Sequence, residues 1–228
     1  MINFNDFQAL TFDCYGTLID WESGILGAIK PILSAYGVQI EDREIIEHYS
    51  KFEPAIQQQG YIKYREVLKK IVQQFGDHFG FTPTATEIES LPESLQNWQP
   101  FPDTIEALQL LKQKYKLVII SNVDDDLFAA TAKNLNIEFD EIITAEQAKS
   151  YKPSLNNFKL AFSRIGIPQA QILHVAASLY HDIIPARSLG LTTVWVNRNA
   201  QDSTSLPKSS QPNLEVPDLR SLVSLINS

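Results

Sequence analysis

Residues 9–18 read Ala9-Leu10-Thr11-Phe12-Asp13-Cys14-Tyr15-Gly16-Thr17-Leu18. The first four are a short apolar run, and Asp13 and Gly16 then break it. That combination predicts a buried strand ending in a tight polar turn. Runs of the same kind recur at Leu117 to Ile120, Glu141 to Thr144, Ile172 to Ala176 and Thr193 to Val196. Between them Ile105, Leu108 and Leu111, then Phe158, Ala161, Phe162 and Ile165, return at helical spacing. Strands alternating with amphipathic helices build βαβ units, so the expected fold is α/β, a doubly wound parallel sheet covered by helices.

One stretch departs from the alternation. From Trp21 to Trp98 the apolar residues recur only at helical spacing (Ile25, Ile29, Ile32, Leu33; Tyr64, Val67, Leu68, Ile71, Val72, Phe75). We therefore expect an all-helical cap domain, residues 21–98, inserted into a core domain made of residues 1–20 and 99–228. Pro31 should interrupt and kink the first of these helices, since proline removes a hydrogen bond from a helix interior. Gly37, Gly60, Gly76 and Gly80 punctuate the rest, and Pro100 to Pro102 return the chain to the sheet. The Ser-, Pro- and Asn-rich tail from Asn199 to Pro217 reads as a loop before a closing helix, Asp218 to Ile226.

Composition narrows the partners. In 228 residues, 44% are hydrophobic and 20% charged, enough apolar material for a core. Nineteen basic against 27 acidic side chains give a net charge of −8, which repels nucleic acid and anionic membrane surfaces. Cys14 is the single cysteine, so neither an intrachain disulfide nor a cysteine-built zinc cage is available. The opening MINFNDFQALTFD lacks the basic flank of a signal peptide, and no run of 18 apolar residues follows. The expectation is a cytoplasmic protein with a small-molecule anionic substrate, no nucleic-acid or membrane partner, and a homodimer as the self-association to consider.

In an open α/β sheet the ligand lies beyond the carboxyl ends of the strands. The polar residues there are Asp13, Tyr15 and Thr17 after the first run, Ser121 and Asn122 after the second, Lys152 after the third, and Ser178, His181 and Asp182 after the fourth. Each also has an unremarkable reading. Asp13 could be a turn residue, Asp182 a helix cap, His174 a satisfied core histidine, His181 an exposed loop histidine and Cys14 packing. Asp124 to Asp126 read as a solvated helix start at the positive end of the dipole.

The order of these motifs resembles the haloacid dehalogenase superfamily: aspartate in D-x-[D/Y/F]-G-T, then Ser/Thr, then Lys, then acidic residues, with a cap inserted directly after the first motif. Tyr15 and the all-helical cap resemble its 2-haloacid dehalogenase branch. The resemblance implies hydrolytic dehalogenation of short 2-haloacids. Asp13 would be the nucleophile that forms an aspartyl ester, Lys152 the group that keeps it ionised, and Asp182, with Ser178, the group that orients or activates water. Thr17, Ser121 and Asn122 would bond the substrate carboxylate or the halide. Tyr15 and Trp21 would form apolar walls, and His181 is a candidate for the halide pocket.

Physical chemistry favours the same branch. An alkoxide leaving group needs a proton, and superfamily phosphatases supply it from an aspartate two residues after the nucleophile; here Tyr15 stands there. A halide leaves unprotonated. Phosphatases also hold Mg²⁺, commonly through G-D-x-x-x-D after the fourth strand, where this chain reads Ala176-Ala177-Ser178-Leu179-Tyr180-His181-Asp182. No cofactor is therefore expected. The alternative is a Mg²⁺-dependent phosphomonoesterase with Asp13 and Asp182 on the metal, and a third reading is a catalytically silent binding protein. The branch usually carries a halide-binding arginine in an early cap helix. Here Tyr49-Ser50-Lys51-Phe52-Glu53 has none, leaving Lys51 or Arg65 as substitutes.

Overall fold

The computed structural model describes residues 2–204 and 206–227. Strand β1 (Ala9–Phe12) leads into four helices, α1 (Trp21–Ala35), α2 (Asp42–Gln57), α3 (Tyr64–Phe79) and α4 (Ala85–Ser94). The chain then alternates: α5 (Thr104–Lys112), β2 (Lys116–Ser121), α6 (Asp125–Leu135), β3 (Glu141–Thr144), α7 (Ala145–Ala148), α8 (Leu155–Ile165), β4 (Ile172–Ala176), α9 (Ile184–Ser188), β5 (Thr192–Val196), β6 (Leu214–Val216) and α10 (Leu219–Ile226). The sheet order is β3-β2-β1-β4-β5-β6, and every pairing is parallel. All residues of β1 and β4 are buried, as expected for strands covered on both faces. Among the described residues no helix is long and apolar enough to cross a membrane.

This order positions the chemistry. The chain crosses from β1 to β2 on one side and later reaches β4 on the other. The order therefore reverses at β1, and the crevice beyond its carboxyl end is where such sheets bind ligands. Asp13 is the first residue there, its N–H still bonded to Val175 O at 3.2 Å.

The structure corrects several expectations. The segment from Asn199 to Pro217 is not all loop, because Leu214–Val216 forms β6 against β5; a three-residue edge strand is too short to show alternation. Ser205, in the same tail, lies outside the described residues. Pro31 does not break its helix, since α1 runs through it. Gly76 does not punctuate but sits buried inside α3. A Cβ there would come within 2.6 Å of Phe81 O and 2.7 Å of Pro83 Cδ, so its role is close approach.

Asp125 and Asp126 are the exposed first turn of α6, as expected, but Asp124 is not solvated. Asp124 is fully buried, and its two oxygens accept from Tyr64 N and Arg65 N, both at 2.8 Å. It therefore caps α3 from the sheet side, satisfying donors that a helix start leaves open. Asp126 holds Arg65 at 2.9 Å, and Asp125 accepts from Thr144 Oγ1 at 2.6 Å and Gln147 Nε2 at 2.7 Å. The run ties the helical segment to the sheet.

Candidate active site

The turn after β1 is built to present Asp13. Leu18 N and Ile19 N both donate to Cys14 O, at 2.7 and 3.0 Å, which folds residues 14–19 tightly under the strand end. Gly16 takes φ +94°, and a Cβ there would press on Trp21 Nε1 at 3.1 Å. Both the backbone angle and the indole exclude a side chain. Cys14 packs in the core without exposure, and burial pushes its thiol well up. It is not a second nucleophile.

Around Asp13 the structure assembles a buried ion cluster. Lys152 Nζ donates to Asp13 Oδ1 at 2.8 Å, Asp182 Oδ1 at 2.7 Å and Ile120 O at 2.7 Å. All three ammonium protons are thereby committed, and Lys152 is only 1% exposed. Asp13 keeps 7% of its surface open and lines a cavity of about 480 Å³. Burial raises the Asp13 carboxyl, the charge of Asp182 adds to that, and Lys152 and Thr17 oppose it without prevailing. Burial would likewise raise Asp182, but Lys152 and His174 outweigh it and hold that carboxyl below its usual range. Lys152 would lose its proton more readily by burial alone, yet its two carboxylate partners push its pKa upward. One cation, shared between the two carboxylates, thus leaves Asp13 the more basic of the pair.

The other expected residues fall into two groups. Ser121 Oγ is buried with no partner among the described residues and lines the cavity, so its hydroxyl is free for a ligand. Asp182 Oδ2 is likewise buried and unpartnered. Thr17 requires a correction: its single hydroxyl proton goes to Asp13 Oδ2 at 2.8 Å, while its oxygen accepts from Ala177 N at 2.8 Å. Fully buried, Thr17 orients Asp13 and does not bond a substrate. Asn122 clamps the Lys152 peptide from both sides, accepting from Lys152 N at 2.7 Å and donating to Lys152 O at 3.0 Å. Ser178 caps the wide turn Leu179–Ile183, its Oγ accepting from His181 N at 3.0 Å; both residues line the cavity. Tyr15 presents its ring there and ties its hydroxyl to Thr131 at 2.8 Å, and Trp21 packs near Tyr49. Neither substitute for the branch's arginine reaches the cavity: Arg65 is held by Asp126, and Lys51 does not line it.

Two further residues, His174 and Arg198, belong to the site, and only Arg198 was not among the expected residues. His174 is the expected buried core histidine, but it also touches the site. Its Nε2 lies 3.1 Å from Asp182 Oδ1 and its Nδ1 lies 2.9 Å from Thr11 Oγ1. An ionised carboxylate only accepts, so Nε2 carries the proton. His174→Leu is expected to lower the unfolding free energy by about 1–3 kcal/mol, the cost of orphaning buried polar groups, with part recovered in His174→Gln. Urea denaturation of the three proteins checks this, and an unchanged midpoint for His174→Leu would refute the bracing role. Arg198 also lines the cavity. Its guanidinium donates to Thr17 O at 2.8 Å and to both oxygens of Asp103 at 3.1 and 3.2 Å, and it stacks over Phe101 at 3.9 Å. The same carboxyl-end rule, applied after β5, would have flagged it.

Magnesium does not fit this donor set. Mg²⁺ demands near-octahedral oxygens at about 2.1 Å. Here the facing oxygens of Asp13 and Asp182 are already bridged by an ammonium group, and Ala177 takes the place of a further acid. Among the described residues no three His, Cys, Asp or Glu side chains converge as a metal group. What the arrangement can do is hold one carboxylate ionised at the floor of a cavity, with a second, unpartnered carboxylate oxygen beside it.

Comparison with known proteins agrees with this geometry. A sequence model described as haloacid dehalogenase-like hydrolase matches residues 7–190. The chain is 24% identical over 226 residues to an (S)-2-haloacid dehalogenase of Pseudomonas sp. (strain YL), covering 97% of this chain and 95% of the relative. It is 26% identical over 225 residues to haloacetate dehalogenase H-2 of Moraxella sp. (strain B), covering 96% and 97%. The L-2-haloacid dehalogenase of Xanthobacter autotrophicus, solved with chloropropionic acid covalently bound, superposes with a TM-score of 0.82 at 21% identity, covering 97% of this chain and 99% of that one.

Proposed function

Because the chain belongs to the haloacid dehalogenase-like hydrolases, we propose that it hydrolyses the carbon–halogen bond of short 2-haloacids without a cofactor. The observation that carries this reading is the Lys152 ammonium bonded to Asp13 at 2.8 Å and to Asp182 at 2.7 Å, in a site where Tyr15 stands in place of a proton donor. The relatives named for 2-haloacid and haloacetate dehalogenation match nearly the whole chain. A reducing cytoplasm suits its one buried, free cysteine.

In the first step an Asp13 oxygen attacks C2 in line with the departing halogen. The C–O bond forms, the C–halogen bond breaks with its electron pair on the halide, and C2 inverts. Lys152 keeps Asp13 ionised and takes no further part. Ser121 Oγ–H bonds the substrate carboxylate, joined by the Cys14 and Tyr15 N–H groups, the two in the turn after Asp13 that are not spent on other backbone carbonyls. In the second step water attacks the Asp13 ester carbon and passes one proton to the free Oδ2 of Asp182. The bond between that carbon and the ester oxygen then breaks, Asp182 returns the proton to the departing oxygen, the 2-hydroxy acid leaves, and Asp13 regains its carboxylate by releasing water's second proton. Residues 21–98 act as the cap domain over the core of residues 1–20 and 99–228; their role is to keep water from the first step.

Chloride release from chloroacetate and 2-chloropropionate tests the reading. Chloride and hydroxy acid should appear in equal amounts, with rates unchanged by EDTA. Rapid release of phosphate from monoesters, abolished by EDTA and without chloride release, would overturn it.

A further inference from the structure

The wall contributed by α2 and α3 carries a polar cluster that this reaction does not use. Glu53 lines the cavity, and its Oε1 accepts from the Tyr64 hydroxyl at 2.6 Å and the Tyr49 hydroxyl at 3.2 Å. The two phenol oxygens lie 2.8 Å apart, and both tyrosines are buried and line the same cavity. Two protons serve three contacts, so neither hydroxyl has one left for a ligand. Glu53 Oε2 has no hydrogen bond among the described residues. This wall therefore offers acceptors and negative charge, and no donor from these three side chains.

Among the described residues, neither the lysine nor the arginine that lines the cavity is bonded to Glu53. The cavity's lysine, Lys152, has all three protons engaged, and Arg198 is held by Asp103 and Thr17. A haloacid with its carboxylate at Ser121 would thus share the cavity with an unpaired anion. The space, about 480 Å³, falls in the range that holds drug-sized ligands and exceeds what a two- or three-carbon acid fills.

We propose that Glu53, braced by Tyr49 and Tyr64, is an acceptor subsite for the far end of the substrate, so that the preferred substrates are longer 2-haloacids ending in a hydroxyl or ammonium group. This rests on the dehalogenase reading and adds a substrate class to it. The subsite also rejects a second carboxylate.

The test compares kcat/KM for 2-chlorobutyrate, 2-chloro-3-hydroxypropionate, 6-amino-2-chlorohexanoate and 2-chlorosuccinate in wild type and Glu53→Gln. Gln keeps an acceptor oxygen for the two phenols, so the fold is preserved. At least one donor-bearing acid should exceed 2-chlorobutyrate by roughly tenfold, the factor one charge-assisted hydrogen bond supplies. 2-Chlorosuccinate should trail by a similar factor, and Glu53→Gln should collapse both ratios. Haloacids turned over with ratios near one, or ratios unchanged in Glu53→Gln, overturn the subsite and leave the dehalogenase reading standing. If no substrate releases chloride, the dehalogenase reading fails, and equilibrium binding decides the subsite separately. Calorimetry should then find 6-aminohexanoate bound about tenfold tighter than hexanoate by wild type and equally by Glu53→Gln; equal binding by wild type overturns it.

Discussion

Asp13→Asn should abolish chloride release, by roughly 10⁴-fold or more, the scale seen when a covalent nucleophile is removed, while leaving the protein no less stable at neutral pH. The two halves have one cause. The Asp13 carboxyl is raised by burial and by the charge of Asp182, against Lys152. An acid whose folded pKa exceeds its unfolded value binds more protons when folded, so its ionisation subtracts stability as pH rises through that interval. Asparagine has the same shape and no charge, so it removes the nucleophile and that penalty together. It also leaves Lys152 and Asp182 as a neutral pair. Acid-quenched mass spectrometry should find the wild-type chain heavier by the substrate less its halide, and the variant unmodified. Thermal melts at several pH values should give the variant a midpoint equal to or above that of wild type at neutral pH. Residual chloride release within tenfold of wild type would remove Asp13 from the nucleophile's role.

Much of the sheet was legible because each strand is short, apolar and bounded by turn residues. Glu141–Thr144 and Ile172–Ala176 form strands with the bounds read from the sequence. The third residue set, Lys152, could be placed because the carboxyl-end rule needs only the strands. What the sequence withheld was which polar groups bond one another. Thr17 and Asn122 both fall where a ligand-binding residue belongs, yet Thr17 spends its hydroxyl on Asp13 and Ala177, and Asn122, though it lines the cavity, holds the Lys152 backbone. His174 alternates like any core residue of β4, and only the fold brings Asp182, eight residues later, back to its Nε2. Asp124 to Asp126 have the composition of a helix start, and α6 does begin at Asp125. Their bonds to Tyr64 and Arg65, about sixty residues away, leave no periodic trace. The Glu53–Tyr49–Tyr64 cluster was invisible for the same reason, since it joins two helices through side-chain termini.

Lys152→Met tests the cluster from the opposite side. Methionine fills similar volume without charge, leaving Asp13 and Asp182, both nearly buried, without the cation between them. Removing one partner of a buried ion pair costs about 3–5 kcal/mol, so the variant should unfold that much more easily at neutral pH. The sign of its pH dependence is the sharper reading. In wild type the Asp182 carboxyl lies below its usual range, so its share of stability is present above the unfolded pKa and lost as pH falls through the folded one. Lys152, raised by its two carboxylates, contributes fully below its unfolded pKa and loses that share as pH rises through the folded one. Without the ammonium both carboxyls are raised by burial and by each other, so the variant's deficit should shrink on acidification from neutral pH. Chloride release should fall roughly 100-fold or more at neutral pH, because each unit that Asp13 climbs above the working pH leaves about tenfold less carboxylate, and it should recover partly as pH rises. Urea midpoints and rate profiles measured across the acid and neutral range decide the matter. A variant whose midpoint and acid limb both match wild type would mean that Lys152 neither compensates the two acids nor holds the nucleophile ionised.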